Sequence, residues 1–187
     1  HHFSVQQSEV QNAQFLYRHH ALLRSNVLGN FKNLVKEVTI DPAMLVHLNG
    51  YVNSKQAPDE NYAREMQELF TVGRGDDSLY TENDVIAAAR VLTGWRVNDN
   101  PLGSFFSASA HDTGSKTFSS FYNNTVIAGG TDGNQELDAL VNMIFSTTEA
   151  ARFICRKLYK WFVYYEIDDT VEADVIIPMA TILQSNN

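Results

Sequence analysis

Residues 59–73 read DENYAREMQELFTVG, and this stretch decides the fold class. Tyr62, Met66 and Phe70 follow one another at intervals of four residues, which places apolar side chains on one face of an α-helix. Gly73 closes the stretch, and glycine readily adopts the left-handed conformation that ends many helices. The stretch therefore predicts an amphipathic helix that ends just before Gly73.

Similar apolar spacing on both sides of this stretch predicts several more helices. They are expected within residues 5–24, 28–38, 42–48, 82–94, 137–145, 149–165 and 175–183. Start signals precede three of them, because Asp41 lies before Pro42 and capping boxes begin at Thr81 and Ser146. A chain of 187 residues usually forms one core, so residues 1–187 are predicted to be a mainly α, multi-helical single domain of roughly six to eight helices.

The apolar faces of these helices define a predicted core. Its members are Phe31, Leu45, Leu69, Phe70, Ile86, Leu92, Leu140, Ile144, Phe153, Leu158 and Phe162. We expect these side chains to be buried together, since each lies on the apolar face of its helix.

The segment between Trp95 and Gly130 loses the helical spacing and is rich in Ser, Asn and Gly. Short β-prone runs occur at residues 103–107, 116–122 and 125–128. The segment is therefore predicted to be one long loop that carries at most a small β-hairpin. A connection of this length inside a compact domain is uncommon and is more often functional or poorly ordered.

Composition narrows the possible partners. The formal net charge of −8 argues against a nucleic-acid partner, because such binding depends on clustered Lys and Arg. The nearest approach to a basic cluster, residues 152–160, is expected to be a solvated helix face.

No apolar run approaches the roughly 20 residues that cross a bilayer, so a soluble chain with no transmembrane segment is expected. Cys155 is the only cysteine and is expected to be a buried structural thiol.

The first candidate site lies on the helix of residues 59–72. Asn61, Glu65 and Glu68 are spaced by four and three residues and share one side of that helix, the Glu65 flank. Two carboxylates so close repel each other, and a cation, an arginine or a shared proton would relieve the repulsion. The alternative is an ordinary surface on which Arg64 forms ion pairs with Glu60 and Glu68.

The second candidate site lies in the long loop, where His111 and Asp112 are followed by Lys116. An imidazole beside a carboxylate can transfer protons or bind a metal ion. Metal-dependent phosphohydrolases that use a His-Asp pair need further ligands, and the other histidines lack the required spacing. No metal site is predicted, and no cofactor is indicated.

Residues 132–138, DGNQELD, have the acidic composition of a calcium-binding loop. They lack the spacing of an EF-hand, in which ligands occupy fixed alternate positions. Asp132 is better placed to cap the helix that follows, so these residues are predicted to begin a helix.

Several short motifs occur in a recognisable order. They are LGNF at residues 28–31, LNG at 48–50, PDENYARE at 58–65, ELFT at 68–71, LTGW at 92–95, HD at 111–112 and the helix at 153–162. Together these motifs resemble the bacterial family catalogued as domain of unknown function 1800, over most of the chain. The chain departs from the family at Asp59, where Asn is common, which weakens any argument that needs a neutral amide there. His1-His2-Phe3 resembles a His-Phe pair of the family, although the two histidines also fit the stub of a purification tag.

The resemblance implies no particular reaction. Members of the family are generally longer than this chain, often carry export signals, and tend to be encoded beside another exported family. The resemblance therefore implies a fragment of a longer protein, a periplasmic or extracellular location, and an exported protein as a partner.

Two functions remain open. The first is a non-catalytic accessory or scaffold module for another exported protein, in which the charged residues form a buried structural network. The alternative is an extracytoplasmic hydrolase-like enzyme in which Glu65 works with His111 or Asp112 as an acid and base pair. The substrate of that enzyme would be held by Asn61, Arg64, Arg90, Trp95 and Lys116.

The two functions predict different surroundings for these residues. We expect the loop that carries His111 to fold back over the Glu65 flank, with Arg90 and Trp95 nearby, so that opposite charges neutralise each other. The indole N–H of Trp95 is expected to find an acceptor there. An open cleft would favour the enzyme, whereas a closed and mutually saturated interior would favour the scaffold.

Overall fold

The computed structural model describes residues 2–75 and 78–186, and it confirms the mainly α fold. The α-helices are α1 Gln7–Val10, α2 Ala13–Ser25, α3 Phe31–Thr39, α4 Pro42–His47, α5 Glu60–Glu65, α6 Glu82–Val91, α7 Gly133–Phe145, α8 Thr148–Phe162, α9 Asp169–Val171 and α10 Ile177–Ser185. A π-helical turn at Met66–Thr71 continues α5, and a second one at Glu172–Ile176 joins α9 to α10.

The described residues contain nine helices when α9, its π-helical turn and α10 are counted as one. The expected number is exceeded because the segment predicted as a single helix at residues 5–24 is divided into α1 and α2. Gln11 adopts a left-handed conformation with φ of 48°, which ends α1. Asn12 then caps α2 by accepting from the backbone N–H groups of Gln14 and Phe15.

The predicted start signals are confirmed at two helices and displaced at a third. Asp41 caps α4 by accepting from Met44 N–H. Thr81 forms a reciprocal capping box with Asp84 at α6. At α8 the cap is Thr147 rather than Ser146, because the helix begins one residue later than the sequence pattern predicted.

Gly73 has the left-handed φ of 87° that the sequence predicted for the end of the first helix. A Cβ at this position would lie 2.5 Å from the Phe153 ring. The glycine is therefore required twice, once by its backbone conformation and once by its close approach to α8.

The long segment after α6 carries two small antiparallel strand pairs. β1 (Trp95–Asp99) pairs with β2 (Leu102–Phe106), and β3 (Lys116–Thr117) pairs with β4 (Val126–Ile127). Short 3₁₀ turns lie at Ala108–Ala110 and Ser120–Tyr122. Phe118, Tyr122 and Ile127 are buried in the core. The segment is thus packed into the body of the domain, and it contains one strand pair more than predicted.

The main core joins α3, α4, α5, α6 and α7 to the strand segment. Of the predicted core residues, Leu45, Phe70, Leu92, Leu140 and Ile144 are buried, and Phe31 and Phe153 are half-buried. A smaller cluster of Ala151, Cys155, Ile176 and Ala180 joins α8 to α10. The buried thiol of Cys155 is as predicted.

Four predicted core residues are exposed instead: Leu69, Ile86, Leu158 and Phe162. Leu69 lies in the π-helical turn, where the wider spacing of the backbone rotates side chains away from the face that an α-helix would present. Ile86 lies beside the inward-facing Val85 on α6 and points away from the core. Leu158 and Phe162 lie near the end of α8, beyond its buried turns.

None of the helices in the described part of the chain has the length and apolar character needed to span a membrane. Among the basic residues at 152–160, Lys157 and Lys160 are exposed as predicted, whereas Arg152 and Arg156 are half-buried. Arg156 forms ion pairs with Glu149 and Glu172, and Lys157 donates to the backbone carbonyl of Leu69.

Candidate functional site

A polar network forms where five segments of the chain meet. The end of α6 supplies Arg90, the turn after it supplies Thr93, the loop after β2 supplies His111 and Asp112, β3 supplies Lys116, and the first turn of α7 supplies Glu136. We refer to these six residues as the polar network. The side chains of His111 and Lys116 have no solvent exposure, and that of Glu136 is 4% exposed.

The hydrogen bonds of His111 define where its protons lie. Its Nδ1 is 2.7 Å from the backbone carbonyl of Thr93, which can only accept, so Nδ1 carries a hydrogen. The hydroxyl of Thr93 donates to the Arg90 carbonyl and accepts from Asp112 N–H. The Nε2 of His111 lies 2.9 Å from Oε1 of Glu136, so this pair shares one proton.

Glu136 accepts hydrogen bonds at both carboxylate oxygens. Gly130 N–H donates to Oε1 at 2.9 Å, and Lys116 Nζ donates to Oε2 at 2.5 Å. Donors of this kind favour the ionised form of a carboxylate. One buried carboxylate therefore bonds to both the imidazole of His111 and the ammonium group of Lys116.

Arg90 and Asp112 form the outer edge of the network. Arg90 Nε lies 2.7 Å from Asp112 Oδ2, and its Nη2 lies 3.2 Å from Oδ1, which is the bidentate geometry that arginine favours. The hydrogen bonds from Arg90, together with the backbone N–H of Gly114, lower the pKa of Asp112 although partial burial opposes this. Lys116 Nζ also donates to the Asp112 carbonyl, which links the edge to the interior.

Trp95 lies beside the polar network, but its side chain forms no hydrogen bond with the network residues. It is buried, and its ring centroid is 5.4 Å from that of Phe106. Phe106 in turn meets the His111 ring edge-on at 5.0 Å. The expected acceptor for the indole N–H is not found among the described residues, so this prediction was wrong. The apolar contact with Phe106 explains the position of the ring instead.

The residues of the Glu65 flank make contacts outside the polar network. Asn61 donates its amide to the Leu48 carbonyl, and Arg64 pairs with Glu60 and Glu82. Glu65 is half-buried, and burial and then the nearby Glu68 carboxylate raise its pKa.

Among the described residues, no hydrogen bond or ion pair joins the Glu65 flank to His111, Asp112 or Lys116. The predicted neutralisation of cationic groups by Glu65 and Glu68 was wrong, because Glu136 pairs with His111 and Lys116, and Asp112 pairs with Arg90. The alternative of surface ion pairing is confirmed for Glu60 and Arg64. Glu68 pairs with Arg74 rather than with Arg64.

Three members or neighbours of the site were not predicted from the sequence: Glu136, Thr93 and Phe106. Glu136 was assigned to a helix start, and Asp132 does cap α7 as predicted. The charges indicated only that Lys116, if buried, needs a carboxylate partner, and not which carboxylate would supply it.

Two other histidines have structural contacts. His19 Nδ1 lies 3.0 Å from Asp41 Oδ2, and its Nε2 lies 2.8 Å from the Phe3 carbonyl. His2 donates to the Phe70 carbonyl and accepts from Lys157, so its side chain takes part in the fold, whereas His1 lies outside the described residues. Burial, followed by the Lys157 charge, lowers the pKa of His2 to about 4. Within residues 2–75 and 78–186 no three His, Cys, Asp or Glu side chains form a group that could hold a metal ion.

Two surface clefts have volumes of about 330 and 300 Å³. The first lies between the turn after Val72 and α8, and the second lies at the start of α8. Neither is lined by the polar network or by Glu65. The predicted site residues therefore do not converge on either cleft.

These features define a mainly helical domain whose most developed polar site is a closed network rather than an open cleft. The chain belongs to the family of proteins of unknown function DUF1800, whose model matches residues 1–187. This confirms the resemblance found in the sequence motifs. Comparisons with curated proteins and with solved structures find no match.

Proposed function

We propose that the chain is a non-catalytic accessory module that supports another exported protein. The observation that carries this proposal is the closure of the polar network, since His111, Lys116 and Glu136 are buried and bonded to one another. A catalytic acid or base must come within hydrogen-bond reach of a substrate. His111 and Lys116 have no exposed side-chain surface with which to do so, and only 4% of the Glu136 side chain is exposed.

The chemistry of the network also supports a structural role. Both nitrogens of His111 are occupied by Thr93 and Glu136, so the imidazole has no free lone pair for a substrate proton. Asp112 is held by Arg90 and Gly114. Buried ionic groups of this kind fix the relative positions of the elements that carry them, here α6, β3 and α7.

The proposed location and partner rest on the family resemblance alone. Export of related proteins supports a periplasmic or extracellular site of action, and their association with a second exported family supports a protein as the partner. A nucleic-acid partner is disfavoured by the net charge of −8.

One observation favours the alternative of a hydrolase-like enzyme. Burial and Glu68 raise the pKa of Glu65, and carboxyl groups with raised pKa values are common in active sites. In that case Glu65 would act without His111 or Asp112, whose polar atoms are already bonded elsewhere. Asn61 and Arg64 on the same helix would remain as substrate-binding residues.

A matched pair of substitutions tests the proposal. Glu136→Gln removes the counter-charge of the buried Lys116 and is expected to lower Tm by roughly 10 °C, since an uncompensated buried charge costs about 3–5 kcal/mol. Glu65→Gln makes the same chemical change at a half-buried site and is expected to leave Tm nearly unchanged. Thermal unfolding followed by circular dichroism measures both.

Activity measurements complete the test. The unmodified chain is assayed against ester, phosphoester and glycoside substrates beside the Glu65→Gln variant. Hydrolysis that is present in the unmodified chain and lost in that variant would overturn the non-catalytic role. An unchanged Tm in Glu136→Gln would contradict the closed network.

A further inference from the structure

The end of α8 exposes a continuous apolar run. Phe162, Val163, Tyr164 and Tyr165 are 76%, 68%, 52% and 71% exposed, and we call these four residues the aromatic segment. Single exposed apolar side chains are normal in folded proteins. Four in succession, three of them aromatic, are typical of an interaction surface.

The aromatic segment continues a face of α8 that is buried elsewhere. Ala151, Cys155 and Phe162 are separated by four and seven residues, so they lie on one side of the helix. Ala151 and Cys155 are covered by Ile176 and Ala180 of the smaller cluster. Phe162 has the same orientation and is exposed, as is Leu158 one turn earlier. The apolar face of α8 therefore extends beyond the part that α10 covers.

Charges of opposite sign flank the aromatic segment. Lys160 is exposed two residues before it, with Trp161 between them, and Glu166 is exposed just after it. In the described part of the chain neither side chain forms an ion pair. A surface with a cation at one end and a carboxylate at the other is complementary to itself when rotated by 180°.

We propose that two copies of the chain associate through the aromatic segment about a two-fold axis. Lys160 of one copy then faces Glu166 of the other, and the same contact is repeated across the axis. The aromatic side chains of both copies are buried between these two ion pairs. This inference does not depend on the non-catalytic role, because it concerns a different surface.

A second copy fits this surface better than an anionic membrane does. Aromatic side chains and Lys160 would suit a lipid interface, but Glu166, Asp168 and Asp169 follow directly and are exposed. An anionic bilayer would repel these carboxylates. A second copy supplies a partner for both signs of charge, and salt at physiological strength screens the repulsion between two chains of net charge −8.

Charge reversal provides the test, measured by sedimentation velocity over a range of protein concentrations. Lys160→Glu and Glu166→Lys each place like charges opposite one another in the dimer, and each is expected to weaken association by about tenfold. An equimolar mixture of the two variants restores both attractive contacts and is expected to form a heterodimer. The double variant K160E/E166K is expected to regain association for the same reason.

The apolar contact is tested by Phe162→Ser, which is expected to abolish the dimer. Leu28→Ser is the matched control, since Leu28 is also exposed and lies in the turn before α3. Circular dichroism confirms that each variant is folded. A monomeric unmodified chain, a mixture of charge variants that associates no better than either alone, or binding to anionic vesicles instead of dimerisation would overturn the proposal.

Discussion

The Lys116 side chain has no exposure to solvent, and its contacts explain how the charged groups of the polar network are paired. Its amino group bonds to the Glu136 carboxylate and to the Asp112 carbonyl, so two of its three donors are satisfied within the protein. Glu136 also bonds to His111, so one carboxylate holds both buried side chains. The Arg90 and Asp112 pair balances itself at the edge. The stability of the buried part of the network therefore depends on the single carboxylate of Glu136.

His19 gives a prediction for the pH dependence of stability. Burial opposes its charged form, but hydrogen bonds to Asp41 and to the Phe3 carbonyl outweigh burial, and the pKa of His19 is raised above 6.5. A raised pKa in the folded state adds stability that is fully present below pH 6.5 and is lost as the pH rises through the folded pKa. The free energy of unfolding, measured by urea titration at a series of pH values, is expected to fall over that range.

His19→Gln should flatten this dependence, whereas His20→Gln, at the exposed neighbouring position, should retain it. The lowered pKa of His2 acts in the opposite sense, because protonation of its imidazole below pH 6.5 costs stability. Measurements above pH 6.5 therefore isolate the effect of His19. A slope unaffected by His19→Gln would contradict the buried ion pair with Asp41.

At the scale of elements, Thr81 tests the capping box of α6. Its hydroxyl accepts from Asp84 N–H, and Thr81→Ala is expected to lower the free energy of unfolding by ~1 kcal/mol. Asn83→Ala is the control, because Asn83 is exposed in the same turn and has no capping role. Chemical denaturation measures both variants, and equal midpoints would count against the cap.

The helices were predictable from the sequence because their signals are local. Apolar residues at helical spacing and a capping residue a few positions earlier gave α3, α4, α6, α7 and α8 nearly in place. The π-helical turn at Met66–Thr71 was not predictable, since the same residues satisfy an α-helical pattern. β3 and β4 have only two residues each and depend on pairing across the loop.

The candidate site was predictable only in part, because one of its contacts joins residues far apart in the sequence. Arg90, His111, Asp112 and Lys116 were identified from their residue types and do come together. Their carboxylate partner is 25 residues from His111 along the chain, and no local pattern indicates that contact. The fold decides which of several carboxylates meets the cations, so the choice between Glu65 and Glu136 required the structure.

At the scale of the whole molecule, the described residues form three apolar clusters. The main core joins most helices to the strand segment, and the smaller cluster holds α10 against α8 through Cys155, Ile176 and two alanines. A third cluster joins α1, α2 and α4 through Val10, Phe15 and Ala43. Regions with few buried apolar contacts open at a lower free energy than the main core. We therefore expect α10 to separate from α8 more readily than α6 separates from α7.

The buried thiol of Cys155 makes that separation measurable by alkylation. Burial shields its sulfur and raises its pKa, so a maleimide or iodoacetamide can modify it only while α10 is detached. Ile176→Ala, within the smaller cluster, should speed the modification, whereas Ile182→Ala, at an exposed position of α10, should not. Equal labelling rates in both variants would contradict this. The chain has a single sulfhydryl, so every labelled molecule reports the separation of α10 from α8. The rate of labelling therefore measures how often this part of the protein opens.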